Sequence, residues 1–277
     1  MPSLPPIRIG VIGMGRVGPV VAAALRSGGH DVVAVSARTE ASAERASLLL
    51  PGVPQLSQQE VVDSAEVVFL AVPDRVVEPL ADSLNWRPGQ IAIHLSGALG
   101  LDVLESAALS GAIVASIHPA MTFQGLSLDA TRLTNAPMAV TAPPLALPLV
   151  EVLAAEIGGQ PFVLDDSLKP RYHAALTHAA NHLVTVVSQA RDLLSDVGVD
   201  DPGSVLKPLT EAALHGALES GMAALTGPVE RGDNDTVARH MVALNGTRVA
   251  DTYRWLSRTT KEELDTWRAD ETTTSDH

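Results

Sequence analysis

Residues 9–18 read Ile-Gly-Val-Ile-Gly-Met-Gly-Arg-Val-Gly, and this stretch decides the fold of the chain. Three of its glycines have the spacing G-x-G-x-x-G, directly after an apolar strand and at the start of an alanine-rich helix. At that place Gly13 permits a tight turn, Gly15 lets the backbone approach a pyrophosphate, and Gly18 allows close packing of helix on strand. The N-terminus of the helix offers N–H groups to the phosphates. The stretch therefore predicts a dinucleotide-binding turn formed by Gly13, Met14, Gly15, Arg16, Val17 and Gly18.

The end of the second predicted strand indicates which dinucleotide binds. A site for NAD carries an acidic side chain there, which accepts a hydrogen bond from the ribose 2′-hydroxyl. Residues 35–39 instead read Val-Ser-Ala-Arg-Thr, with no acid before Glu40. A hydroxyl and a guanidinium suit a 2′-phosphate, because arginine matches phosphate geometry with two parallel hydrogen bonds. We therefore expect NADP(H), held by Ser36, Arg38 and Thr39, although Arg38 could also be a solvated loop residue.

Apolar β-branched runs alternate with helical stretches over the first 165 residues. We predict strands at 7–12, 31–36, 66–71, 90–95, 112–116, 138–141 and 162–164, and helices at 16–27, 75–84, 101–109 and 145–157. This alternation is typical of a parallel sheet covered by helices on both faces. After Asp166 we predict only helices, at 170–197, 208–222, 236–244, 246–256 and 261–267, and a frayed polar end at 269–277. The predicted architecture is an α/β domain with a Rossmann-type, mostly parallel sheet over residues 1–165, followed by an all-α domain over residues 166–277.

Composition excludes several classes of function. The 277 residues are 46% hydrophobic and 18% charged, which is typical of soluble globular domains. The formal net charge is −13 without a basic stripe, so we expect no nucleic-acid partner. There is no cysteine, which removes disulfides, thiolate metal sites and cysteine nucleophiles. The most apolar stretch, 9–25, contains Arg16 and four glycines, so we expect no membrane span, and the absence of a signal-peptide pattern favours the cytoplasm.

Polar residues follow several of the predicted strands. Ligands of open parallel sheets bind beyond the carboxyl ends of the strands, and those ends contain residues 72–74, 94–97 and 118–123. Each segment also has a plain interpretation, because prolines stop strands, a Ser-Gly pair forms a turn, and histidines satisfy backbone groups; this applies most to His94, which alternation places inside a strand. The residues that we expect beside the cofactor and the substrate are Val72, Pro73, Ser96, His118 and Thr122.

The first helix of the second domain has two unusual faces. Its apolar stripe, at helical spacing, consists of Leu176, Ala179, Leu183 and Val187. The opposite stripe is polar but uncharged and consists of Thr177, His178, Asn181, His182 and Thr185. Because no charged residue occurs between Ala174 and Ala190, we expect this helix to be buried on both sides, with a cofactor cleft or a second subunit on one of them. A homodimer through the helical domain follows from that expectation.

A metal site on this helix is not expected. His178 and His182 are four residues apart, as in zinc motifs, but a third ligand and a general-base glutamate are missing. We expect two buried histidines that are satisfied by hydrogen bonds.

The motifs together resemble a bacterial family in which a Rossmann-like domain precedes a conserved helical domain of unknown function. The resemblance is carried by residues 13–18, 71–74, 94–97, 118–123, 172–182 and 225–233, in both domains. This family is similar to ketopantoate reductases, pyrroline-5-carboxylate reductases and β-hydroxyacid dehydrogenases. In β-hydroxyacid dehydrogenases, the helix that opens the second domain supplies a lysine and, four residues later, an asparagine. Asn181 matches the asparagine, but Thr177 stands at the lysine position.

The resemblance implies NADPH-dependent reduction of a small 2-oxo acid, such as ketopantoate, by hydride transfer. Asn181 would orient the substrate carbonyl, and either His118 or Lys169 would donate the proton. A pKa near neutrality favours histidine over a solvated lysine as the donor. Arg231 could bind a substrate carboxylate, cap a helix or pair with Asp233. The candidate substrate contacts are Ser96, Thr122, His178 and Arg231.

Two alternative functions remain open at this point. A non-catalytic NADP(H)-binding sensor or partner protein is suggested by the missing lysine at Thr177. A dehydrogenase of the pyrroline-5-carboxylate or prephenate type differs from the first hypothesis only in its substrate. Kinship at the level of the fold does not name a substrate.

Overall fold

The computed structural model describes residues 5–124 and 128–274. The chain divides into two compact units, Met1–Ala179 and Ala180–His277. The first unit contains a sheet with helices on both faces, and the second is helical. The α/β class and the helical C-terminal region predicted from the sequence are confirmed.

The sheet has seven strands: β1 (Arg8–Ile12), β2 (Asp31–Ser36), β3 (Val67–Leu70), β4 (Ile91–His94), β5 (Ile113–Pro119), β6 (Pro137–Thr141) and β7 (Gln160–Val163). Their spatial order is β2-β1-β3-β4-β5-β6-β7. Neighbouring strands are parallel except β5 and β6, which are antiparallel with His118 opposite Ala139. The strand order reverses between β1 and β3, and open sheets bind ligands at such a point.

The helices of the first unit are α1 (Gly18–Ser27), α2 (Glu40–Leu49), α3 (Gln58–Ser64), α4 (Asp74–Ser83), α5 (Glu105–Leu109), α6 (Leu128–Leu133) and α7 (Leu147–Glu156). On one face of the sheet, α1 and α7 pack over a core that contains Leu25, Phe69 and Leu153. On the other face, α3, α4 and α5 pack over a core that contains Val68 and Leu80. Adjacent residues of β3 therefore enter opposite cores, as expected for a strand buried on both faces.

Three helices of this unit, α2, α3 and α6, are not among the predicted ones. The first has a weak apolar pattern, with only Ser42 and Ala46 buried. Both α2 and α3 nevertheless begin with a capping box, formed by Thr39 with Ser42 and by Ser57 with Glu60. These caps satisfy N–H groups at the helix starts and define helices that hydrophobic periodicity does not reveal.

The second unit contains most of α8 (Lys169–Asp196), then α9 (Pro202–Ser220), α10 (Asn234–Ala243) and α11 (Ala250–Thr274). The separate helices predicted at 246–256 and 261–267 are one helix, α11, because the polar residues between them include no proline or glycine. This helix also runs through most of the end that was expected to fray, whose residues 275–277 lie outside the described part. α9 begins earlier than predicted, where Asp201 accepts a hydrogen bond from the N–H of Ser204.

The surface of α8 differs from the expectation of burial on both sides. In the single chain Val184 is 66% exposed, and the side chains of His178 and His182 are also exposed. The expectation of two buried histidines is therefore wrong for the chain by itself, because their polar face stays open. Over residues 5–124 and 128–274, no group of three or more histidine, aspartate or glutamate side chains could hold a metal ion. None of the described helices is both long and apolar enough to cross a membrane.

Candidate functional site

The glycine-rich turn lies between β1 and α1, at the point where the strand order reverses. Gly13 has φ of 103°, and a Cβ there would lie 2.4 Å from the carbonyl oxygen of Ala71, so the close approach to β3 requires glycine. The N–H of Gly13 donates to the carbonyl oxygen of Ser36 (3.0 Å), which ties the turn to the end of β2. Beside Gly15, no described atom lies within 4 Å of the place of a Cβ. A ligand can therefore approach the backbone closely at this turn.

A cleft of about 270 Å³ opens at the turn, between the ends of β1, β2 and β3 and the starts of α2 and α4. It brings together most of the predicted cofactor residues, namely Gly13, Met14, Gly15, Ser36, Arg38, Thr39, Val72 and Pro73. The predicted residues that do not line it are Arg16, Val17, Gly18 and Ser96. Sequence reasoning missed several polar lining residues, which are Ser42, Arg45, Gln58 and Arg75.

Arginines make the cleft electropositive. Arg38 and Arg75 line it from the end of β2 and the start of α4. Arg45, from α2, is half-buried, and its Nε donates to the carbonyl oxygens of Gly15 (3.0 Å) and Met14 (3.3 Å). In the described part of the chain, no carboxylate lies within 4.0 Å of these three guanidinium groups. A cleft with uncompensated arginines beside a glycine turn is suited to phosphate groups.

Lys169 forms a second feature at the carboxyl ends of the strands. Its side chain is 0% exposed, and its Nζ donates to Ser116 Oγ (2.6 Å) and to the carbonyl oxygen of Ser96 (3.2 Å). These bonds join the turn after β4 to the middle of β5. Burial lowers the pKa of Lys169 from 10.5 to about 8, while the negative charges of Asp166 and Asp74 act in the opposite direction. The amine is therefore charged at pH 7, with a pKa close to the neutral range.

His118 lies near the end of β5, beside the turn that follows β4. Its Nδ1 is 3.0 Å from the hydroxyl oxygen of Tyr172, and its ring makes edge contacts with Tyr172 and His173. Burial, with smaller contributions from the positive charges of His173 and Lys169, lowers the pKa of His118 to about 4. The expectation that histidine has the better pKa for proton donation is therefore wrong. It assumed a solvated lysine, whereas Lys169 is buried.

His94 has the structural role that its place inside a strand suggested. Its Nδ1 accepts a hydrogen bond from the N–H of Ser96 (3.2 Å), so its Nε2 carries the proton and donates to the carbonyl oxygen of Gly100 (3.2 Å). Burial, with a smaller contribution from the charge of Lys169, lowers its pKa to about 3. Ser96 Oγ accepts from the N–H groups of residues 98 and 99, both at 3.1 Å. The neutral histidine and the serine together fix the shape of the turn after β4.

The remaining predicted residues lie on exposed parts of the two units. Thr122 is in the loop after β5 and His178 is on α8, both in the first unit. Asn181 and Arg231 belong to the second unit, whereas the cleft and Lys169 belong to the first. The cap of α10 is Asp233, whose carboxylate accepts from the N–H of Thr236 (3.0 Å), so Arg231 does not cap that helix.

The pKa of Asp233 reflects its position at the cap. The hydrogen bonds with Thr236 lower this pKa, and the nearby positive charges of Arg239 and Arg231 contribute less. Among the described residues, Arg231 and Asp233 do not form a salt bridge within 4.0 Å, so the pairing considered for Arg231 is not seen.

Comparison with solved structures finds the same fold in several proteins. A proposed NADP oxidoreductase, BF3122 from Bacteroides fragilis, is 21% identical over 93% of this chain and 98% of its own, with a TM-score of 0.77. Protein TM1727 from Thermotoga maritima is 24% identical over 94% of this chain and 99% of its own, with a TM-score of 0.71. A reductive aminase from Aspergillus terreus, in complex with NADPH and ethyl-5-oxohexanoate, is 17% identical over 96% and 95%, with a TM-score of 0.66. At these identities the likeness concerns the fold.

Comparison with family models identifies both halves of the chain, while a search of curated protein sequences gives no significant match. Residues 3–119 match the model of a Rossmann-like domain. Residues 136–260 match the model described as Domain of unknown function (DUF2520). The two matches confirm the resemblance that the motifs predicted, to a family in which a Rossmann-like domain is followed by a DUF2520 domain.

Proposed function

We propose that this protein is an NADP(H)-dependent oxidoreductase that reduces the C=O or C=N bond of a small acid. The observation that carries the proposal is the buried ammonium of Lys169, which lies at the same edge of the sheet as the glycine turn. A phosphate-binding cleft by itself would support only nucleotide binding. A buried amine with a pKa near neutrality adds a group that can supply a proton.

The spacing of the two features suits a dinucleotide. Between the turn after β1 and the end of β5 lie β3 and β4, and strands are spaced by about 4.8 Å, so the two features are separated by about 14 Å. With its 2′-phosphate near Arg38 and its pyrophosphate at the glycine turn, an extended NADP(H) would direct its nicotinamide ring toward Ser96 and Lys169. The open backbone at Gly15 fits the pyrophosphate, and the arginines together with the missing acid at the end of β2 fit the 2′-phosphorylated form.

Bound NADPH would supply the hydride, and the protein would position the substrate and supply the proton. The ammonium of Lys169 has three N–H bonds, and two acceptors of this chain account for two of them. When the region around Lys169 opens to admit the substrate, the third can donate to the substrate oxygen or nitrogen, where negative charge develops as hydride adds to carbon. Transfer of that proton leaves a neutral amine, which the buried position of Lys169 favours. The neutral ring of His118 lies beside the turn that contains Ser96 and shapes the same region.

We favour a 2-oxo acid of the ketopantoate type as substrate, with small cyclic imines as the second class. The resemblance to ketopantoate reductases supports the first. The likeness in fold to a reductive aminase supports inclusion of the second. Both classes need the same hydride and proton, so the residues around Lys169 do not discriminate between them.

Absorbance of NADPH at 340 nm tests the function with purified protein, ketopantoate, other 2-oxo acids and cyclic imines. We expect steady consumption of NADPH with one of these compounds, and slower consumption of NADH in parallel assays. If the protein binds NADPH but turns over none of them, the non-catalytic NADP(H)-binding function replaces the reductase. If it binds no dinucleotide, both functions fail.

We also propose that the protein is a homodimer through its helical unit. On α9, Val205 and Leu209 are 52% and 69% exposed on one face, and Leu214 and Leu218 are 44% and 79% exposed on the opposite face. A helix with apolar side chains exposed on two faces is unsuited to water on both of them. A second copy of the chain would cover at least one of these faces.

A further inference from the structure

Three arginines of the cleft beside the glycine turn have no acidic partner, which sets this cleft apart from a cleft in the second unit. In the second unit, a cleft beside α11 is lined by Arg254, Arg258, Lys261 and Arg268. Each of those cations lies 2.5 to 3.5 Å from a carboxylate oxygen of the chain. Within the described residues, Arg38, Arg45 and Arg75 have no such neighbour within 4.0 Å. Repulsion between like charges at one cleft is relieved when an anion binds among them.

Arg45 differs from the other two arginines because its position is fixed. Its Nε donates to the carbonyl oxygens of Gly15 and Met14, at 3.0 and 3.3 Å, and the side chain is half-buried. The side chains of Arg38 and Arg75 are exposed. A guanidinium has five N–H donors, so Nη1 and Nη2 retain four donors beside the cleft. Arg45 is therefore a pre-organised cation, whose charge is already held next to the turn before a ligand arrives.

We infer that Arg45 determines the preference of the cleft for a 2′-phosphorylated nucleotide, an inference that rests on the proposed function. Its Nε holds the carbonyl oxygens of the turn, and its Nη groups bind the 2′-phosphate together with Arg38. The first action supports any adenine dinucleotide, because it orients the turn that receives the pyrophosphate. The second action supports only the 2′-phosphorylated form.

Two nucleotide fragments test this inference without any knowledge of the substrate. Adenosine 2′,5′-bisphosphate carries the 2′-phosphate, ADP does not, and calorimetry gives the dissociation constant of each. Arg45→Gln keeps an N–H donor for the turn but removes the charge, so binding of the 2′,5′-bisphosphate should weaken about 10- to 100-fold, the effect of losing charge-assisted hydrogen bonds. Binding of ADP should weaken less than about 3-fold, because the remaining amide still holds the turn.

Controls separate the roles of charge, turn and fold. Arg45→Ala also removes the donor to Gly15, so ADP should bind more weakly to it than to the Gln variant. Arg8→Ala removes an equal charge at the opposite end of β1 and should change neither constant. Thermal melts without ligand show whether each variant folds, and Arg45→Lys provides a charged variant if the neutral ones do not fold. The lysine variant should then retain most of the preference for the 2′,5′-bisphosphate.

The results that overturn the inference are distinct from those that overturn the function. Equal weakening of both ligands in Arg45→Gln, or no change in either, would leave Arg45 with no part in 2′-phosphate selection. Loss of the preference in a folded Arg45→Lys would mean that the turn contact, not the charge, is decisive. If the unmodified protein binds neither the 2′,5′-bisphosphate nor NADPH, the proposed function itself fails.

Discussion

The imidazole ring of His118 lies directly against the backbone of Gly97. A Cβ added to Gly97 would lie 2.7 to 2.9 Å from three ring atoms, Cε1, Nε2 and Cδ2. Distances this short require displacement of the ring, and Nδ1 of the same ring is 3.0 Å from the hydroxyl oxygen of Tyr172. The turn after β4 can therefore pack this closely against His118 near the end of β5 only because residue 97 has no side chain.

Gly97→Ala should therefore move His118 and destabilise the fold. We expect a decrease of about 1–3 kcal/mol in the free energy of unfolding, the usual effect of an extra methyl group in a packed site. Urea denaturation measures this change, and a shift of the His118 resonances in NMR spectra reports the movement of the ring. Gly203→Ala is a suitable control, since only the Asp201 side chain lies within 4 Å of the added methyl, at 3.3 Å. Equal stability of the two variants would refute the fit between Gly97 and His118.

Turnover should depend on the charge of Lys169. Because the pKa of its amine is about 8, the group loses its proton as the pH rises through 8, and a rate that needs this proton should fall above that pH. Lys169→Arg keeps a charge but cannot release a proton at these pH values, so turnover should fall at least about 100-fold and lose the alkaline decline. If the turnover rate instead falls as the pH rises from 4 to 5, the proton donor is His118, whose pKa is lowered to about 4.

Stability should depend on Lys169 independently of any substrate. The folded-state pKa of about 8 is lower than the unfolded value of 10.5, so between these pH values the unfolded chain binds more protons. The unfolding free energy should therefore rise with pH, and the penalty for burying the charge should vanish above the unfolded pKa. From pH 7 to 9.5 we expect the unmodified protein to gain about 2 kcal/mol relative to Lys169→Met. Urea denaturation measures the unfolding free energy of both proteins at each pH. If the difference between them does not change with pH, the pKa of Lys169 is not lowered in the folded protein.

Asn181→Ala tests the residue that the resemblance places beside the substrate. If Asn181 orients the substrate carbonyl, turnover should fall at least about 100-fold, while affinity for NADPH stays within a factor of about 3. Steady-state kinetics and a fluorescence titration with NADPH give the two quantities. Asn245→Ala, on an exposed turn of the same unit, serves as a control. Equal losses of affinity and turnover would remove the proposed role.

The oligomeric state should be a dimer that depends on α9. Light scattering coupled to size exclusion should give twice the mass of the 28.9 kDa chain. Leu209→Asp, at a leucine that is 69% exposed, should shift the protein toward the monomer, because a charge would be buried at the interface. Leu145→Asp alters a fully exposed leucine of the first unit and should leave the dimer intact. A monomer for the unmodified protein would end the proposal.

The sheet could be predicted from the sequence because its strands are continuous apolar runs with clear ends. The glycine turn could be predicted as well, since Gly13 and Gly18 mark it by their spacing. The helices α2 and α3 could not be found in this way, because few of their side chains are buried and their signals are the caps at Thr39 and Ser57. Because α2 was not predicted, the position of Arg45 beside the turn could not be predicted either.

Lys169 shows why the site could be predicted only in part. A lysine at the start of a helix is normally solvated, and its burial depends on contacts with Ser96 and Ser116, which are more than 50 positions away in sequence. Burial also lowers the pKa values of Lys169 and His118. These lowered values favour lysine over histidine as the proton donor, the reverse of the prediction from the sequence. Long-range packing of this kind leaves no local pattern in a single sequence.

The burial of Lys169 makes amine chemistry a selective reporter for this region. The chain has only three lysines, and the other two, Lys207 and Lys261, are exposed on helices of the second unit. An amine-reactive reagent should therefore label Lys207 and Lys261 in the folded protein and reach Lys169 only when the region around its contacts with Ser96 and Ser116 opens. The rate at which the peptide that contains residue 169 becomes labelled, followed by mass spectrometry, would then report how often this region opens, in a protein that needs no engineered probe.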